Sequence, residues 1–315
     1  MVTEKATTSK TSLVRVYLTS FCAIVLWGLS YIWSDKLILM NIPVEYFVFV
    51  RVLIAGLILL CVNLVLRLNL KIRKKDLPMF FLLALLEPLV YFICETYGIR
   101  LTKSPTYSAL IIAATPIFSV IPGVLIFKEK FSVVNMLGIL VCLWGIVIVT
   151  LCAESIGDKF FWGVLFLVLA IFSEVGHASC TKVLTNNNYR PQVIVMYQFL
   201  IGAAYFLPLF LTRGLRNYDA AIYMSWDVWG PILCLAVFCS SISFSLWGGT
   251  IKQLGVAKSS IFLSMIPVVT AIADSLTGGI GLKPLQWVGV LIACLGIILS
   301  QLLNSKNYSK NRMEV

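Results

Sequence analysis

Glu87, Tyr91 and Glu95 follow one another every four residues inside an apolar run, a spacing that sets all three on one helix face. Glu174, His177 and Thr181 share a face by similar spacing, as do Thr270, Asp274 and Thr277. Arg51 adds a cation within another apolar run. An ionisable group at such depth opposes insertion into lipid by roughly 2.5–3.5 kcal/mol, so each is expected to face a cavity or a partner. The chemistry they suit is recognition and proton transfer. Arg51 would hold a carboxylate, and Glu87 or Glu174 an ammonium. Glu87, Glu174, His177 and Asp274 are candidates for carrying a proton, because low dielectric favours the neutral carboxylic acid. A structural role fits the same residues: Arg51 paired with Glu45, Glu95 with Arg100 or snorkelling outward, Glu174 with His177.

Aromatic and helix-breaking residues extend the candidate set. Trp27 and Tyr31, four apart, with Trp247 and Tyr91, could wall an apolar or cationic ligand, or simply pack. Pro116 and Pro267 fall near the midpoints of two apolar runs, where proline lacks an amide proton and displaces the carbonyl four residues earlier. The carbonyls of Ile112 and Leu263 are therefore expected to be freed. Gly138 with Gly145, and Gly289 with Gly296, stand seven apart on one face each, which allows close helix approach. The runs that carry them are expected to pack against each other or across a homodimer.

What positions these residues is a set of membrane spans. The 315 residues are 60% hydrophobic and 12% charged, about half the charged share of a soluble domain. That composition excludes a soluble enzyme, a nucleic-acid binder and a disordered scaffold. A hydrocarbon core about 30 Å thick takes roughly 20 helical residues to cross. Ten apolar segments meet that length, near 13–34, 44–66, 77–98, 105–127, 132–152, 160–184, 191–212, 227–251, 257–278 and 284–303. With the N-terminus in the cytoplasm, 17 Lys and Arg fall inside and 7 outside, which favours both termini inside. The expected fold is an all-α membrane protein. Nine cysteines without a paired spacing read as packing residues, and the single histidine removes the two-histidine zinc motif. No phosphate-binding loop is present. No metal or other cofactor is expected.

The chain also repeats itself. An offset of 151 residues aligns Thr106–Ile148 with Ala257–Leu299 without a gap, setting Ser108 on Ser259, Pro116 on Pro267, Gly138 on Gly289 and Gly145 on Gly296. Five spans per half would invert the second half relative to the first. The expected organisation is a five-helix repeat over 13–152, an inverted repeat over 160–303, and cytoplasmic tails at 1–12 and 304–315.

These features, with Trp27-Gly28, the stretch from Pro43 to Arg51 and Lys128-Glu129, resemble the drug/metabolite transporter superfamily in its ten-span branch with two EamA domains. The acid that closes span four is Glu129, whereas Ile280 takes the equivalent place in the second copy, so Glu129 is given no symmetrical role. The resemblance implies a secondary transporter that exports or exchanges small metabolites across a bacterial cytoplasmic (inner) membrane as a multi-pass protein. The charge set suits an amino acid or related zwitterion moved by alternating access. The alternatives are proton-coupled export of cationic amphiphiles and a membrane-embedded enzyme. An enzyme is not expected, because His177 is the only imidazole and no serine sits in a nucleophile-elbow pattern. The expected partners are a small-molecule substrate and the lipid bilayer, with no nucleic acid.

Overall fold

The computed structural model describes residues 2–129, 132–151, 159–215, 223, 225–277, 283–293, 295, 296 and 299. The tail 304–315 and Ile280 lie outside the described residues. Among them every regular element is helical and no strand occurs. The helices are α1 (Val2–Leu39), α2 (Val44–Val65), α3 (Leu77–Ala84), α4 (Tyr91–Thr102), α5 (Pro105–Ile112), α6 (Thr115–Leu125) and α7 (Val133–Leu151). They continue as α8 (Phe160–Asn186), α9 (Pro191–Leu209), α10 (Trp226–Cys234), α11 (Ser243–Leu254), α12 (Val256–Ser260), α13 (Ile266–Leu276) and α14 (Pro284–Ala293). The segment 1–12, expected as a tail, is helical from Val2 onward.

Eight helical stretches are long and apolar enough to cross a membrane: Val14–Leu39, Val44–Val65, Lys74–Thr102, Pro105–Leu125, Phe160–Asn186, Pro191–Gly214, Trp226–Leu254 and Val256–Leu276. Shorter apolar helices, Val133–Gly145 and Pro284–Ala293, fall where spans five and ten are expected. The protein is an integral membrane protein, and its many exposed Leu, Val, Ile and Phe side chains suit a hydrocarbon solvent.

Several spans are broken, and local chemistry explains each break. Span three is interrupted at Glu87, whose backbone is extended (φ −142°, ψ 121°) ahead of a cis bond to Pro88. Span four stops at Ile112 and restarts at Thr115, with Pro116 in the first turn of α6, where its missing amide proton is harmless. Span nine passes through a 3₁₀ turn, Ile261–Met265, and restarts as α13 with Pro267 in its first turn. The carbonyls expected to be freed are engaged locally: Ile112 accepts the Thr115 hydroxyl at 2.5 Å, and Leu263 accepts the Ile266 amide.

The helices form two compact units, and each draws on both halves of the sequence. One comprises Met1–Leu89 and Gly176–Gly255, the other Val90–Val175 and Val256–Val315. Within the first, Phe80, Leu83, Cys180, Leu184, Tyr189 and Ile194 form a buried cluster. Gly56 lets α2 approach α9, where a Cβ would lie 2.9 Å from Leu200 Cδ2.

Within the second unit, Leu110, Ala113, Cys142, Ile261, Val290 and Ala293 form the core. Its glycines act as the repeat spacing suggests. A Cβ on Gly145 would lie 2.5 Å from the Ala293 amide nitrogen, and one on Gly296 would lie 2.5 Å from the Gly138 carbonyl oxygen. Spans five and ten therefore meet backbone to backbone within one chain. Glu129 closes α6 and accepts the amides of Val256 at 2.6 Å and Ala257 at 3.0 Å. It caps the start of span nine, where an anion is stabilised by unpaired N–H groups.

Candidate functional site

The first unit holds a buried polar cluster centred on His177. Two glycines make room for it. At Gly202 on α9 a Cβ would lie 2.6 Å from Pro88 Cδ, and at Gly176 on α8 one would lie 2.9 Å from Leu86 Cδ1. The broken segment of span three can thus press against α8 and α9, and its extended backbone at Glu87 breaks the helical order of side chains there. His177 Nδ1 lies 2.9 Å from Glu87 Oε2. On the other side of the ring, Nε2 lies 3.3 Å from Gln198 Oε1 and 3.4 Å from the Thr181 hydroxyl. His177 is 3% exposed, Glu87 2% and Gln198 0%.

The ring is oriented by these partners. Gln198 Oε1 can only accept, so Nε2 carries the proton that points to it. Nδ1 lies 2.9 Å from Glu87 Oε2, an ion pair when the imidazole also carries a proton on Nδ1. Without that proton a carboxylate would face a ring lone pair in a buried site, which is repulsive. Glu87 and His177 each carry a side-chain atom suited to a cation. Glu174, 6% exposed, precedes His177 by three residues on α8 and belongs to the second unit.

An aromatic cluster adjoins His177 through Phe244 within the same unit. Phe244 sits edge-on to His177 at 6.0 Å, to Phe199 at 5.2 Å and to Trp27 at 5.0 Å. Trp27 meets Trp247 at 5.2 Å. Trp27 Nε1 donates to the Cys239 carbonyl at 3.0 Å, in a wide π-type turn, Leu235–Ile242, that interrupts span eight. The same turn presents the Ser240 hydroxyl to Arg51 Nε at 2.7 Å. Arg51 and Tyr31 are both buried. In this unit the buried donors Gln198 Nε2 and Trp247 Nε1 have no hydrogen-bond partner among the described residues, and an acceptor-bearing ligand would satisfy them.

The expected face of Glu87, Tyr91 and Glu95 does not survive the break at Glu87. Tyr91 and Glu95 belong to the second unit, where the Tyr91 hydroxyl donates to Glu95 Oε1 at 2.9 Å. Glu95 is buried rather than snorkelling. Asp274, a candidate proton carrier, accepts the Thr106 hydroxyl at 3.2 Å in that unit. Pro116 and Pro267 lie there too. Sequence reasoning passed over Gln198, Ser240 and Phe244. The amide in the apolar run of α9 was the visible signal for Gln198.

Comparisons with known proteins agree with this architecture. The model of the EamA-like transporter family matches residues 14–151 and again 161–302. The uncharacterized transporter YyaM of Bacillus subtilis is 26% identical over 211 residues, 64% of this chain and 65% of that protein. The chain thus spans slightly under two thirds of that relative's length. An uncharacterized transporter in the sor 3′ region of Acidianus ambivalens is 26% identical over 275 residues, 86% of this chain and 100% of the relative. A probable terminal-alkyne amino-acid exporter of Streptantibioticus cattleyicolor is 25% identical over 244 residues, 76% of this chain and 77% of the relative. A solved crystal structure of a protein 14% identical in sequence superposes with a TM-score of 0.76 over 93% of this chain and 98% of the other, which shows the shared fold.

Proposed function

The chain belongs to the EamA-like transporter family, and from that premise we propose that it is a secondary transporter exporting or exchanging a small metabolite, an amino acid or related zwitterion, by alternating access. In this proposal ten spans form two inverted five-helix repeats, with both termini in the cytoplasm and the protein in a bacterial cytoplasmic membrane. The protein is a carrier rather than an enzyme. The relative named as a probable amino-acid exporter supports the substrate class.

The observation that carries the proposal is the buried contact of Glu87 with His177. In this reading the protonated pair gives up its proton when another cation takes its place beside Glu87. A substrate ammonium is such a cation, so proton and substrate compete for one carboxylate, and exchange across the membrane follows. Arg51, with the open donors Gln198 Nε2 and Trp247 Nε1, suits the substrate carboxylate. Glu174 and Asp274 are further proton sites. The aromatic cluster of Trp27, Phe244 and Trp247 favours a second reading, proton-coupled export of cationic amphiphiles, since cations bind over aromatic faces.

Proteoliposomes loaded with labelled amino acids, or with labelled quaternary amines, separate the two readings. Wild-type protein is expected to release amino acids saturably, and Glu87→Gln to slow release by roughly 10-fold or more, the factor that ~1.5 kcal/mol of a hydrogen bond to a charged group represents. Release of quaternary amines alone would select the second reading. Flux no greater than that of empty liposomes for both solute classes would overturn the proposal.

A further inference from the structure

The link between spans two and three is the most basic stretch of the described chain. Arg67, Lys71, Arg73, Lys74 and Lys75 all fall in nine residues and all are exposed, while the acid beside them, Asp76, is buried. Such a run would ordinarily be a loose loop whose charge only sets orientation. Here it is held in place. Leu66 and Arg67 close α2, with Arg67 at φ 50° and the amide of Leu68 returning to the Asn63 carbonyl at 3.0 Å. Asn69 Oδ1 accepts the Lys71 amide at 3.1 Å, and the Tyr197 hydroxyl donates to the Leu70 carbonyl at 2.7 Å.

Asp76 is the hub of this strap. Its Oδ2 accepts from Arg73 Nε at 2.6 Å and from the Tyr189 hydroxyl at 2.9 Å, and its Oδ1 from Asn187 Nδ2 at 3.0 Å. Arg73 reaches on to the Asn187 carbonyl at 3.1 Å and lies over the Tyr189 ring at 5.4 Å. The hub neutralises Arg73. The charged ends of Arg67, Lys71, Lys74 and Lys75 take no hydrogen bond or ion pair from any described residue. Exposed apolar side chains flank the strap at both ends, Leu64, Val65 and Leu66 before it and Leu77, Phe81 and Leu82 after it. That order along the chain, apolar then cationic then apolar, matches acyl chains on either side of a headgroup layer.

We infer that the strap Arg67–Lys75 is a fixed binding surface for the phosphate headgroup of an anionic phospholipid, with Lys71, Lys74 and Lys75 as its phosphate donors and Asp76 as the residue that positions it. A lipid is favoured over free phosphate because the flanking Leu64–Leu66 and Leu77–Leu82 stretches supply contacts for acyl chains that a free anion cannot use. Ordering the strap in the folded protein removes an entropic cost that a mobile loop would meet on binding.

Native mass spectrometry of the purified full chain, titrated with phosphatidylglycerol, phosphatidylcholine or inorganic phosphate, tests this. The wild type is expected to retain phosphatidylglycerol over phosphatidylcholine, with inorganic phosphate failing to displace it at matched concentration. Lys71→Gln, Lys74→Gln and Lys75→Gln together should weaken that retention by more than 10-fold, since each cation near an anionic surface contributes a factor of roughly five. The three matching Arg replacements should preserve retention, as should the charge-loss control Lys36→Gln elsewhere on the unit. Asp76→Asn should weaken retention while leaving the three lysines in place. Equal retention of both lipids, full displacement by inorganic phosphate, or an unchanged triple Gln variant would each overturn the inference.

Discussion

His177 is set by its neighbours more than by its own chemistry. Gln198 fixes one ring nitrogen as a donor, and the other lies 2.9 Å from Glu87 Oε2. Gln198→Leu would leave that buried N–H short of its main acceptor, and an unsatisfied buried donor costs about 1–3 kcal/mol. We expect a lowered thermal unfolding temperature in detergent and slower solute release, with Gln198→Glu keeping an acceptor and restoring part of the stability. Unchanged stability and flux in Gln198→Leu would remove Gln198 from the site. The charged members of the cluster were legible in the sequence because ionisable groups in apolar runs are rare. Gln198 gave only the weaker signal of a neutral amide in an apolar run, and its partner lies 21 positions away.

At the scale of elements, glycines decide which helices meet. A Cβ at Gly202 would lie 2.6 Å from Pro88 Cδ, whereas at Gly249 on α11 nothing lies within 4 Å. Gly202→Val is therefore expected to destabilise by about 1–3 kcal/mol, as overpacking does, and to slow transport by displacing the segment that carries Glu87. Gly249→Ala should stay within about 1 kcal/mol of wild type or gain slightly, since alanine favours the helix. Thermal unfolding monitored by tryptophan fluorescence distinguishes the two, and equal effects would contradict the packing described. Positions of most spans, the Pro116 and Pro267 breaks and the glycine contacts of spans five and ten could be read from local patterns. The break at Glu87 could not, because the four-residue spacing to Tyr91 and Glu95 runs straight across Pro88 and suggests a continuous face. Likewise the link before span three reads as a charged loop until Tyr189, Asn187 and Tyr197, more than a hundred residues away, are seen to hold it.

For the whole molecule, the repeat and the packing follow different rules. Repeat matching aligns residues along the chain and divides it near its middle, as the family matches at 14–151 and 161–302 do. The compact units instead exchange chain within spans three and six, at Leu89 and Gly176, because helices pack against long-range partners that a one-dimensional offset does not reveal. The first unit then gathers Arg51, Glu87, His177, Trp27 and Trp247 from both halves. The transport account rests on the Glu87–His177 pair exchanging a proton for solute. The direct measurement is simultaneous recording of labelled amino-acid release and luminal pH, with an entrapped dye, in proteoliposomes of wild-type and Glu87→Gln protein. The account predicts that protons enter as solute leaves in the wild type and that the pH change is lost with Glu87→Gln. Saturable release in both proteins at equal rates, with no change in luminal pH, would contradict it.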